Sequence, residues 1–124
     1  MSYLDELRSM SGVLDYSDRN KLLKFAAEKT AETFCAVCEF YAKKGELSHK
    51  GPALFAHNGK HYGIKFYPDE RYKIGGNECS LKRSEVDPFI DLLRGEFEKR
   101  GIFNARIYPE DHDFVGFVLI SLSW

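Results

Sequence analysis

Two short stretches, CAVC at residues 35–38 and HNGKH at residues 57–61, carry the side chains of this chain best suited to chemistry. Together they spell C-x2-C-x18-H-x3-H, the outline of a zinc site built from two thiolates and two imidazoles. A tetrahedral metal requires both pairs to converge on one point. The surrounding sequence argues against convergence. Cys35 and Cys38 fall within a run of helical periodicity, whereas Asn58-Gly59 is a strong hairpin signal, because a type I′ turn needs positive φ at both central positions. In such a hairpin His57 pairs with Lys60 and Ala56 with His61. Side chains alternate along a strand, so His57 and His61 belong to opposite faces of the ribbon. The expectation is two buried thiols and two separate histidines, with no metal and no cofactor.

Other reactive candidates are weaker. A redox Cys-x-x-Cys pair sits at a helix N-terminus, where the dipole lowers the thiol pKa. Here the pair lies in the second half of its helix, beside Ala36, Val37 and Phe40. Cys79, in NECSL, is a possible nucleophile if the fold supplies a histidine. His112 lies in Pro-Glu-Asp-His-Asp, which could do acid–base work but has the composition of a turn between strands. Asp87 and Asp91 stand near a helix start, where they complement the dipole. The sequence contains no phosphate loop, G-x-S-x-G, H-E-x-x-H or dinucleotide fingerprint.

The elements that must position these groups are legible in outline. Tyr3, Leu4, Leu7 and Met10 predict a short first helix ended by Gly12. Ser17 is the expected cap of a long helix running from Asp18 to Lys44. Its buried stripe is Leu23, Ala26, Ala27, Thr30, Phe34, Val37, Cys38 and Tyr41, and Gly45 follows its last turn. GELSHKGP is expected as a loop. PALFAH-NG-KHYGIKFYP then forms a hairpin, and Asn77–Leu81 a short third strand. A helix from Ser84 or Asp87 to Gly101 buries Val86, Ile90, Leu93 and Phe97. FNARIY, the turn PEDHD and FVGFVLISLSW close the chain as a second hairpin. The last strand is apolar on both faces, which places it centrally or in a subunit contact. The predicted fold is a single α+β domain over residues 1–124 in the order α-α-β-β-β-α-β-β, its helices packed on one face of a mainly antiparallel sheet.

Charge is segregated along the chain. Residues 1–42 carry five Lys/Arg and seven Asp/Glu, residues 43–83 nine and four, and residues 84–124 four and eight; the net charges of −2, +5 and −4 give −1 for the whole. In the basic middle segment, alternation puts Ala53, Phe55, Tyr62, Ile64 and Phe66 on the core side. His61, Lys65 and Tyr67 fall on the other side, with Arg71 and Lys73 in the following loop. Cations interleaved with aromatic rings suit single-stranded nucleic acid, and equally an acidic protein surface. The N-terminus lacks both the basic start and the apolar run of a signal peptide, and the odd number of cysteines, three, fits reduced thiols, so a cytoplasmic location is expected. No apolar run is long enough for a membrane helix. The function expected is a small non-enzymatic binding or regulatory module acting through a protein partner or its own dimer, with His61, Lys65, Tyr67, Arg71 and Lys73 as binding residues. The alternatives are a nucleic-acid-binding protein using the basic hairpin and a small enzyme centred on Cys79 or His112.

Overall fold

The computed structural model describes residues 18–67 and 78–124, together with Tyr3. The long helix α1 spans Arg19–Lys43, 25 residues. Its N-cap is Asp18 rather than Ser17: the Asp18 carboxylate accepts the Lys21 N–H at 3.1 Å. At the other end Gly45, with φ +87°, closes the helix in the left-handed conformation that glycine adopts without strain. Helix α2 spans Val86–Lys99 after a 3-10 turn at Arg83–Glu85, and Gly101 (φ +77°) ends it in the same way.

The two helices run side by side in the same direction. Leu23 and Lys24 of α1 line a shallow groove with Pro88, Asp91 and Leu92 of α2, while further along Phe34 meets Phe97 edge-to-face at 5.9 Å. Both C-termini therefore lie at one end of the molecule, and α1, the longer helix, continues about two turns past that last contact. The predicted stripe of α1 is buried from Leu23 to Phe34 and again at Cys38. Val37 and Tyr41, on the overhanging turns, are only partly covered.

Six strands form one sheet: β1 Ser48–Pro52, β2 Leu54–His57, β3 Lys60–Phe66, β4 Glu78–Leu81, β5 Arg106–Glu110 and β6 Gly116–Ser123. All pairings are antiparallel except β3 with β4. β3 and β6 are central but adjoin only through Lys65↔Phe117 and Phe66↔Gly116. Beyond those pairs they diverge, and the chain reversal β1–Ala53–β2 fills the fork, β1 running along β6 and β2 along β3. Ala53 is the apex. Its N–H donates to Val118 of β6 at 2.7 Å and its carbonyl accepts from Ile64 of β3 at 3.0 Å. The residue is fully buried, and only a small side chain fits where two strands part.

The core lies between the helices and the sheet face bearing Phe55, Tyr62, Ile64, Phe66, Cys79, Leu81, Ile107, Val118, Ile120 and Leu122. Every residue assigned to the core side of the first hairpin, from Ala53 to Phe66, is buried. The α+β class is therefore as expected, but the element order is not. The expected pair of N-terminal helices followed by three strands does not match. The described residues give one long helix, four strands, a second helix and two strands. The short helix predicted over Tyr3–Met10 lies, apart from Tyr3, outside the described residues. The segment predicted as a loop, SHKGP, is strand β1, in register with β6 from Ser48↔Ser123 to Pro52↔Leu119. It has almost no apolar signal because it contributes mainly backbone hydrogen bonds. The predicted PEDHD turn starts later, since Pro109 and Glu110 still belong to β5.

Candidate interaction surface

The first hairpin forms as its turn chemistry dictates. Asn58 (φ +49°) and Gly59 (φ +75°) make the turn, and His57↔Lys60 and Ala56↔His61 are the closing pairs. His57 turns toward α1, its ring 5.0 Å from Phe25, whereas His61 is exposed on the other side of the ribbon. His61, Lys65 and Tyr67 share that outer side. Arg71 and Lys73 lie outside the described residues.

Glu78, at the start of β4, changes the character of this face. Its carboxylate accepts from Lys65 Nζ at 3.1 Å and from the Tyr67 hydroxyl at 2.7 Å. Burial and the adjacent carboxylate push the Tyr67 phenol up to about 12. Lys65 also sits 5.9 Å above the Phe117 ring. The basic-aromatic pattern of β3 is thus partly neutralised by a strand thirteen residues further on. Sequence alternation places side chains on a face, but it does not reveal which strand lies alongside.

The thiols are equally well separated. Cys79 is buried on β4 close to Arg19 and Glu85. Desolvation pushes its thiol up to about 12, with Arg19 pulling the other way and Glu85 adding to the rise. That is the opposite of an activated nucleophile. His112 lies in the β5–β6 turn, across β3 from β4, 3.0 Å from Glu110 and edge-on to Phe117 at 5.4 Å. Cys35 is half-buried, and Cys38 is pushed up to about 11 by burial and by its neighbour Cys35. Among the described residues no group of three or more His, Cys, Asp or Glu side chains could hold a metal ion.

A different surface emerges at the end where both helices terminate. There β6 continues beyond its last ladder pair: the Trp124 N–H donates to the Leu47 carbonyl at 3.0 Å, and the indole Nε1 donates to the Glu46 carbonyl at 3.0 Å. On the other side of β6, the Asn104 side-chain amide donates to the Ser123 carbonyl at 2.8 Å, which ties the segment bearing Phe103 to the end of β6. Leu47 and Trp124 are therefore neighbours at the open end of the sheet, one pair past Ser48↔Ser123. On the overhanging turns of α1, Tyr41 lies edge-on to the exposed Phe40 at 5.5 Å. Lys44 Nζ lies 4.3 Å above the Phe40 ring. Exposures are 54 % for Phe40, 71 % for Leu47, 80 % for Phe103 and 45 % for Trp124, and these are four of the six large apolar side chains exposed among the described residues. Tyr41 also stacks on His49 at 4.6 Å.

Sequence reasoning suggested a subunit contact for the last strand but did not identify these residues. Leu47 reads as a loop hydrophobe and Phe103 as the start of the FNARIY strand, and only the pairing of β1 with β6 places Leu47 beside Trp124. No protein-family model matches the chain, and neither a curated protein nor a solved structure matches it. No helix among the described residues is long and apolar enough to cross a membrane.

Proposed function

We propose that this protein is a non-enzymatic binding module that acts by protein–protein contact, and that the sheet end carrying Leu47, Phe103 and Trp124 is the contact surface. One observation carries the reading: Leu47 and Trp124, 71 % and 45 % exposed, are held side by side at the open end of the sheet by backbone and indole hydrogen bonds, and Asn104 ties the segment of the 80 % exposed Phe103 to the adjoining Ser123. Scattered exposed hydrophobes are ordinary, but a contiguous group held by hydrogen-bonded backbone is what an interface core needs. Tryptophan is also enriched among the residues that dominate binding energy. The high thiol pKa of Cys79 and the exposed setting of His112 give no comparable support to catalysis.

The test is site-specific photo-crosslinking in cells. A photoreactive phenylalanine analogue at Phe103 should yield a discrete protein adduct, whereas the same analogue at Asp87, exposed at the opposite end of α2, should not. If Phe103 gives no adduct beyond the Asp87 background, this surface is not a contact and the reading falls.

A further inference from the structure

The sheet face turned away from the helices holds cations and rings in fixed register. Lys50 of β1 and Arg106 of β5 flank Ser121 of β6, and Pro52 and Tyr108 flank Leu119 in the same way. At the near end of β6, Lys65 of β3 and Glu110 of β5 flank Phe117. These side chains alternate with the buried Val118, Ile120 and Leu122, which face the helices. Lys50, Pro52 and Arg106 are exposed, and Tyr108, Phe117, Leu119 and Ser121 are partly so.

The anions of this face are engaged, and they stand apart from two of its cations. Glu78 accepts from Lys65 and Tyr67, Glu110 lies 3.0 Å from His112, and Asp111 in the β5–β6 turn lies 3.9 Å from Arg83. Lys50 and Arg106 have no carboxylate in an ion pair among the described residues. They sit two strand spacings apart, about 10 Å, with only the Ser121 side chain between them. Like charges held on one face repel, and a bound anion removes that repulsion. A hydrogen bond to Tyr108 holds the Lys50 ammonium above its ordinary 10.5, and Lys50 Nζ lies 5.6 Å above the Tyr108 ring. Lys65 Nζ stands 5.9 Å above the Phe117 ring. Tyr108 and Phe117 occupy diagonal positions on β5 and β6, about 7–8 Å apart. A small anion needs no rings, and an apolar protein partner needs no unpaired cations. Single-stranded nucleic acid uses both, its phosphates on cations and its bases on rings.

We propose that this outer sheet face binds single-stranded nucleic acid, with Lys50, Ser121 and Arg106 on a phosphate and Tyr108 and Phe117 under successive bases. The surface is a second one, independent of the contact at the sheet end.

Fluorescence anisotropy of the full chain with a labelled oligouridine of about 12 nucleotides tests the proposal, in salt from about 50 mM to about 200 mM. The logarithm of the affinity should fall with the logarithm of salt at a slope of about −1.4, from phosphate contacts by Lys50 and Arg106 at about 0.7 each. Lys50→Ala/Arg106→Ala changes only exposed side chains, so the fold is kept; it should weaken binding at least tenfold and flatten the slope. Tyr108→Leu keeps the apolar contact with Leu119 but removes the ring, and it should cost about tenfold with little change in slope. Glu110→Gln removes an anion opposite Phe117 and should tighten binding about twofold. No binding at the lowest salt overturns the proposal, as does binding indifferent to the double variant or to Tyr108→Leu. Polyglutamate competing on equal terms with the oligouridine also overturns it, and makes the face a site for an acidic protein instead.

Discussion

Thr30 shows how much a single buried atom can cost. It belongs to the apolar stripe of α1 and is fully buried, and its hydroxyl has no hydrogen-bond partner among the described residues. An unpaired buried hydroxyl forfeits its bond to water without recovering one. Thr30→Val keeps the branched shape and removes the oxygen, so it should stabilise the fold by about 1 kcal/mol, seen as a higher urea midpoint at unchanged slope. The thiols give a second prediction at this scale. Burial raises the pKa of Cys35, with Arg100 opposing and Glu39 reinforcing, and raises those of Cys38 and Cys79 to about 11 and about 12. Labelling of the native protein near pH 8 should therefore proceed at Cys35 first and Cys79 last. A Cys79 that labels first would return the nucleophile to consideration.

At the level of elements, the fork between β3 and β6 is the most constrained feature. Gly116 faces Phe66 across their last pair, and a Cβ there would collide with the phenyl ring itself. Gly116→Ala should cost about 3 kcal/mol in chemical denaturation, the upper range for overpacking, because Phe66 is fully buried and its ring has no solvent to swing into. Adding Phe66→Leu should recover part of the loss, and a Gly116→Ala chain as stable as the parent would show that the strands part more easily than this geometry allows. The same fork explains β1. Its residues contribute little to the core, yet it saturates one side of β6 and sets the register that carries Leu47 to Trp124.

Across the whole molecule, one ion pair ties the start of α1 to the far end of the sheet. The Arg19 guanidinium donates to both Glu85 carboxylate oxygens, with Nε to Oε2 at 2.9 Å, and to the Ser80 carbonyl at 3.0 Å, while the Lys82 N–H donates to Glu85 at 2.8 Å. Burial works against the charged carboxylate, but the hydrogen bonds from Arg19 and Lys82, with both positive charges, outweigh it and hold Glu85 below its ordinary value of 4.5. A depressed carboxylate stabilises the fold fully above its unfolded pKa and loses that contribution as the pH falls through the folded pKa. Glu85→Gln should therefore cost about 2 kcal/mol at neutral pH, and the difference from the parent should shrink below the ordinary 4.5 as both carry an uncharged group. A constant difference down to strong acid would place the stabilisation elsewhere.

What the sequence determined alone was local. Helical spacing located α1 and α2 within a few residues, Asn58-Gly59 determined the first hairpin and its register, and alternation sorted Ala53–Phe66 into core and surface. Each is decided by residues within one or two turns of each other, where propensity and periodicity act directly. Tertiary structure decided the rest. Polar β1 is a strand because β6 offers it backbone partners 67 to 75 residues away, from Pro52↔Leu119 to Ser48↔Ser123. Glu78 quiets Lys65 and Tyr67 because a parallel strand lies beside them. Leu47 meets Trp124, and Asn104 ties the Phe103 segment to Ser123, only through pairings distant in the chain, since such contact is set by packing and register, which no local pattern encodes.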